Sequence, residues 1–394
     1  MKSLLLLKSW WIQAMMKFLY QHILKPVLFQ FDPETVHDAF VSIGKMASNS
    51  SSFKKILNLM YGKPEGKEIQ IDGLTFKGPV LLSAGFDYNG HLSEVLYFLG
   101  IAGEEVGSVT ARPCPGNSTP RLTRLIKSQS IQVYKGLRND GVDVIIQRMK
   151  QKKIPSGFVL GISIAKTNDE VSSSTEEGIQ DYCYSLKRLV EEDVGDFYTI
   201  NISCPNAFGG EDFASPDRLR LLLSELKKIS HSRPMYIKMP INLPWDKFRP
   251  LLDIIKELQF NGVVIGNLNK NYDDLDDVTE RPLDYRGGLS GRPCFKLSNE
   301  LIQKTRQYIP ENFTIMGCGG VLSQDDAMEK LRAGADLIQM ISGMIFSGPQ
   351  LVNEINYKYQ SFKKADAGHV FPHEYPLSLE PQQDIVNQGS RHEF

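Results

Sequence analysis

The 394-residue sequence predicts an α/β fold, a closed parallel (β/α)8 TIM barrel carrying a small N-terminal helical extension. Eight short apolar runs predict it: "PVLLSAG", "GEEVGSV", "FVLGISI", "DFYTINIS", "MYIKMP", "GVVIGN", "FTIMGCGG" and "DLIQMISG". Unbroken apolar runs suit strands covered on both faces, and eight of them suit a closed barrel where six or seven would suit an open doubly wound sheet. Stretches of helical period separate most of the runs. Two examples are "SPDRLRLLLSELKKIS", with Ser215 as cap and Pro216 at the first helical position, and "SQDDAMEKLRAG", with Ser323 as cap and Gly334 as stop.

Ahead of the barrel, residues 1–31 carry four lysines and no acidic residue. Lys8 and Lys17 interrupt the apolar positions too often for a membrane span of about 20 residues. The pattern suits a helix lying in a membrane interface, lysines toward anionic headgroups. The alternative is a helical cover packed on the core. Four leucines are too few for a signal-peptide core, and no small-residue cleavage site follows. Asp32-Pro33 opens a second helix, "PETVHDAFVSIGKMAS", and "SFKKILNLMYG" gives a third. A hairpin follows in "EIQIDGLTFKG", turning at Asp72-Gly73. The expected division is a membrane-associating helical segment over 1–62, the barrel over 63–360, and a poorly ordered tail over 361–394, where periodicity gives way to Pro, Gln, His and Gly.

Lys and Arg total 45 against 46 Asp and Glu, a net charge of −1, so no general attraction draws the chain to nucleic acid. Five scattered cysteines with no C-x-x-C pair predict neither a disulfide framework nor a zinc site, and no metal is expected. Of seven histidines, His369, His373 and His392 fall in the tail. A Ser-His-Asp hydrolase has little to build with.

In such a barrel chemistry gathers at the C-terminal ends of the strands, with phosphate commonly in the loops after the last two. Those loops read Gly317-Cys318-Gly319-Gly320 and Ser342-Gly343. Glycines there admit a phosphate to the backbone, and the helix opening after Ser323 offers a positive dipole end. The other strand ends present Ser83, Ala84 and Gly85, then Gly107 and Ser108, Ser163, Asn201 and Cys204, Lys238, and Asn267. Lys238 is the most telling, because a buried ammonium costs several kcal/mol unless an acceptor or anion meets it. Otherwise it must snorkel to solvent or pair with a structural acid.

From about Pro26 to Tyr359 the chain resembles the dihydroorotate dehydrogenases. The matching stretches are "FQFDPETVH", "GLTFKGPVLLSAGFD", "VGSVTARPCPGNSTPRLTR", "NISCPN", "GGLSGRP" and "AGADLIQMISGMIFSGP". The resemblance implies an FMN-dependent oxidoreductase that converts dihydroorotate to orotate in pyrimidine biosynthesis. Its N-terminal helices are similar to those of the membrane-associated class, implying a quinone acceptor and a peripheral, cytoplasm-facing place on a membrane. It implies FMN contacts from Ala84, Gly85, Ser108, Ser163, Asn201, Lys238, Gly266, Ser290, Gly291, Gly319, Gly320, Ile341 and Ser342. Substrate contacts are implied for Tyr88, Asn201, Asn206 and Asn267. Cys204 is implied as the base that takes a proton from the carbon beside the hydride donor, and Lys238 as the charge that stabilises the anionic reduced ring.

The chain departs from the family pattern at the substrate. Cysteine stands at 204, where the quinone class carries serine. Tyr88 replaces the lysine of "GxDKNG", Val133 and Leu137 fall in the "NRxGFNN" loop, Leu268 takes a hydroxyl position of "TNTT", and Ser163 replaces an asparagine. Lys135 or Arg138 could supply a replacement charge. These changes leave open a paralogous FMN oxidoreductase acting on another small ring compound, or a flavin-binding protein without turnover.

Overall fold

The computed structural model describes residues 2–62, 67–203, 213–282 and 286–362, with side chains from Trp11 onward. Each of the eight apolar runs forms a strand: Val80–Leu82, Gly103–Val109, Val159–Ile164, Phe197–Asn201, Met235–Met239, Gly262–Ile265, Thr314–Cys318 and Leu337–Met340. They pair in parallel, each with its neighbour in the chain, and the last closes on the first, Ile338 opposite Val80. Helices cover the outside, packing Leu219, Leu222 and Leu223 or Phe248, Leu251 and Ile255 against the outward strand residues.

Along the inner face every second residue points to the axis, and the residue type changes from bottom to top. Leu81, Val159, Phe197, Tyr236, Met316 and Leu337 make an apolar layer at the N-terminal end. Higher on the same strands lie Ser83, Ser163, Thr199, Lys238, Cys318 and Gln339. The lower layer is stoppered by the hairpin of Ile69–Ile71 and Leu74–Phe76, whose Phe76 is fully buried. Its turn puts Asp72 and Gly73 at φ +50° and +81°, the left-handed pair of a tight hairpin. There Asp72 accepts hydrogen bonds from Tyr236 Oη (2.8 Å) and Thr314 Oγ1 (2.7 Å). The barrel is therefore closed below, leaving only its upper end for chemistry.

The N-terminal extension forms helices Lys2–Leu19, Lys25–Leu28, Pro33–Ser48 and Ser51–Met60, with a π turn at Tyr20–Leu24. Asp32 caps the third through Thr35 N (2.8 Å), and Ser50 caps the fourth. They dock on the barrel top, Tyr20 Oη donating to Ile345 O (2.6 Å) and Lys25 Nζ to Phe346 O (2.8 Å). No helix among the described residues is long and apolar enough to cross a membrane.

Two details differ from the sequence expectation. Ser215 occupies the N-cap position of its helix, yet its side chain makes no cap bond. A three-stranded sheet of Leu122–Leu125, Ser130–Val133 and Gly288–Leu289 lies over the barrel mouth. Its first turn passes Gln129 at φ +45° with no glycine, so the usual hairpin signal is missing. The expected tail lies, beyond residue 362, outside the described residues.

Glu104, on the second strand, is fully buried, and neither carboxyl oxygen has a hydrogen-bond partner among the described residues. Burial, with the nearby Asp87 charge, raises its pKa well above the carboxylate range. The native state therefore keeps a proton that the unfolded chain releases above about pH 4.3. Stability from this group is complete below that pH and declines as pH rises toward the folded pKa, by at most about 1.4 kcal/mol per pH unit. Glu104→Gln removes the linkage. Denaturant titrations at pH 5 and 8 should show the variant losing less stability on going to the higher pH, and equal slopes in the two proteins would refute it.

Candidate active site

The upper end of the barrel opens into a cavity of about 480 Å3, with a second of about 90 Å3 beside it. Ala84, Lys238, Asn267, Leu268, Ser290, Ile341 and Ser342 line both. The smaller one is floored by the last two strand ends, where Gly319, Gly320, Ser342 and Gly343 face Gly291. At Gly320 (φ +75°) a Cβ would stand 2.6 Å from Phe295 Cα, so only glycine lets these turns approach so closely. The helix after Ser323 contributes less than expected, since Ser323 Oγ already takes Asp326 N (3.0 Å) and Asp326 accepts from Leu322 N (2.9 Å).

Lys238 stands between the two cavities, 3 % exposed, with Ser83 Oγ at 3.2 Å. Ser83 is itself held by Gln339 Oε1 (3.1 Å). A buried ammonium needs more than one neutral hydroxyl, so the site is organised to receive an electron-rich partner above the barrel axis. Asn201 donates to Ser108 Oγ (2.9 Å), and Ser108 in turn meets Ser163 Oγ (2.8 Å). Asn201 Oδ1 accepts from Ser203 N and Oγ (both 3.2 Å), and Asn267 Nδ2 donates to Ser203 O (2.9 Å) and Oγ (2.7 Å). This lattice ties Ser203 to both Asn201 and Asn267, two residues that line the larger cavity.

Of the site residues expected from the sequence, Ala84, Gly85, Ser108, Asn201, Lys238, Ser290, Gly291, Gly319, Gly320, Ile341, Ser342, Tyr88 and Asn267 line one cavity or both. Two do not. Ser163 is fully buried behind Ser108, where it orients that hydroxyl. Gly266 is required by packing between strands, since a Cβ there would lie 2.0 Å from Cys318 O. Cys204 and Asn206 lie outside the described residues. Glu34, His37 and Arg124 line or face the larger cavity from the extension and the added sheet, and sequence reasoning missed them. The only signal was the position of Glu34 in the first turn after the Asp32-Pro33 cap.

The family model described as dihydroorotate dehydrogenase matches residues 67–362. The chain belongs to the dihydroorotate dehydrogenase family. Among curated relatives, "Dihydroorotate dehydrogenase (quinone)" of Christiangramia forsetii is 32% identical over 345 residues, covering 86% of this chain and 98% of that protein. The protein of the same name from Xylella fastidiosa is 34% identical, covering 84% and 93%. Among solved structures, the Eimeria tenella dihydroorotate dehydrogenase in complex with ferulenol superposes with a TM-score of 0.72 at 25% identity, covering 83% of this chain and 90% of that one. Its ligand-free form gives the same score and covers 85% and 98%. The chain is thus an oxidoreductase of the quinone-dependent dihydroorotate dehydrogenase type, acting on a CH–CH donor.

Four of its departures within that family share the larger cavity. Tyr88, Val133, Leu137 and Leu268 all line the larger cavity. Lys135, 7 % exposed, reaches the same space and sits over the Tyr88 ring at 5.0 Å. Burial lowers the pKa of Lys135, although the Glu34 carboxylate 2.8 Å away counteracts part of that effect. Burial, followed by the charges of Glu34 and Asp38, raises the pKa of the Tyr88 phenol, so it stays neutral.

Proposed function

We propose that this chain oxidises dihydroorotate to orotate on FMN and passes the electrons to a quinone at a membrane. The observation that carries the reading is Lys238, a buried lysine whose one hydrogen-bond acceptor among the described residues is the Ser83 hydroxyl, standing where two cavities share their lining. The residues fit FMN: glycine turns for a phosphate, a cation for an electron-rich ring, and Asn201 and Ser108 at its edge. When bound, FMN would supply the hydride acceptor at N5 and the route for electrons to leave.

The protein's own part is proton removal and positioning. In this reading Cys204 takes the proton from the carbon beside the hydride donor, and the reading is supported by the bonds that tie Ser203, the residue before it in the chain, to Asn201 and Asn267. Asn201, Asn206 and Asn267 hold the polar edges of the ring. Leu268 and Leu137 present apolar surface that keeps water from the reacting carbons.

The quinone reading is supported by the N-terminal helices, which expose apolar stripes at helical spacing: Trp11, Met15 and Phe18, then Phe40, Ile43 and Met46, then Phe53, Ile56 and Leu59. Phe40, Ile43 and Phe53 also line the larger cavity, so its wall and the exposed apolar face share residues. Such a face suits peripheral attachment to a bilayer. Anaerobic addition of dihydroorotate should bleach the flavin absorption of the purified yellow protein, and a decyl-ubiquinone pulse should restore it. Flavin that stays oxidised with dihydroorotate but is reduced by dithionite would select another ring substrate.

A further inference from the structure

Resting on the dihydroorotate reading of the cavity, we infer that Lys135 is the cation that binds the substrate's carboxylate, and that Glu34 of the N-terminal extension occupies that cation until substrate displaces it. The family's lysine after the first strand is Tyr88 here, so the anion has lost its usual partner on that side. An ammonium nevertheless enters the same space. It comes from the loop after Ser130–Val133 and is held over the Tyr88 ring, 5.0 Å from its centroid. Cation–π contact places the charge without neutralising it, so the ring of Tyr88 serves as the shelf on which the relocated charge rests.

The charge count favours an incoming anion. Glu34 Oε1 is approached by Lys135 Nζ (2.8 Å), Arg138 Nη1 (3.2 Å) and Arg121 Nη1 (3.4 Å). Asp38 is the second carboxylate of the group, 3.5 Å from Arg138 Nη1. Among the described residues three cations face two carboxylates, leaving one positive charge over, and Lys135 is the most deeply buried of the three. Desolvated charge of one sign is costly unless an opposite charge arrives. A planar ring carboxylate entering between Asn201 and Tyr88 would supply it.

Glu34 is a positioning residue. It stands in the first turn of Pro33–Ser48, so its carboxylate ties the extension to the loop bearing Lys135. A substrate carboxylate competes for the same ammonium. Occupancy of the pocket and the seating of the extension thus become linked, with each weakening the other. The link predicts opposite signs for two conservative changes, which a merely structural ion pair would not give.

The experiment measures Kd for orotate from the flavin difference spectrum, and KM and kcat for dihydroorotate, in wild type, K135Q, E34Q and the double variant Y88K/K135Q. Flavin content serves as the check that each has folded. K135Q should raise Kd and KM about 10- to 100-fold, as expected when an anion loses a charged partner, with a smaller change in kcat. E34Q should lower both several-fold. Y88K/K135Q should recover most of the loss. If wild type is bleached by dihydroorotate yet K135Q binds orotate as wild type does, or E34Q binds it more weakly, the assignment of Lys135 and Glu34 is overturned and the function stands. If the Kd order holds but dihydroorotate does not bleach the flavin, the function is overturned and the cation stands. Wild type that binds no orotate overturns both.

Discussion

Cys204→Ala should slow anaerobic flavin reduction by dihydroorotate about 10²- to 10⁴-fold, the usual contribution of a positioned base, while orotate binds within a few-fold of wild type. The reason is geometric as much as chemical. The strand Phe197–Asn201 ends in a lattice of bonds joining Asn201 and Asn267 to Ser203, the residue that precedes Cys204 in the chain. Only the thiolate of a cysteine can take the proton. The wild-type rate should therefore rise with pH and level off near the thiol pKa. Cys204→Ser keeps a proton acceptor of similar size but a far weaker acid, so its rate should be intermediate and still climbing where wild type has reached its plateau. Stopped-flow absorbance in the flavin band reads both. An alanine variant reduced as fast as wild type would remove Cys204 from the chemistry.

The barrel could be read from the sequence because its signal is local. Eight apolar runs with strand-length spacing each form the strand they predict, and the parallel order follows from their helical separators. The polar ends were legible for the same reason. A strand that runs Phe197, Thr199, Asn201 or Tyr236, Lys238 on its inner face announces which end is dry and which is wet. The sheet over the mouth was not legible, because its turn at Gln129 lacks glycine and one of its strands is two residues long. That Ser163 and Gly266 do not line either cavity was not legible, because a strand-end position does not tell whether a group faces the cavity or the layer behind it. Glu34 was invisible for a different reason: about a hundred residues separate it from Lys135, and only the docking of the extension joins them. Contacts of that kind are set by tertiary packing, which periodicity does not report.

The same packing logic gives the second large effect. Lys238→Met should weaken FMN retention about ten- to hundredfold, the expected loss of a charge-assisted contact, so that much of the protein purifies without colour. The flavin-free variant should at the same time be more heat-stable than flavin-free wild type. Methionine fills similar space without a charge, whereas the lysine it replaces is buried with one hydroxyl acceptor among the described residues, a cost that falls on the flavin-free form. Opposite shifts of the two forms distinguish a ligand-binding cation from a structural one. If Lys238 belonged to the architecture alone, its removal would lower the melting temperature of both forms and leave the increment on adding FMN unchanged. Calorimetry of each protein with and without FMN measures that increment directly. A variant that retains FMN as wild type does would show that the glycine turns at Gly319 and Gly320 hold the cofactor without help from Lys238, and that the charge at the fifth strand serves only the chemistry.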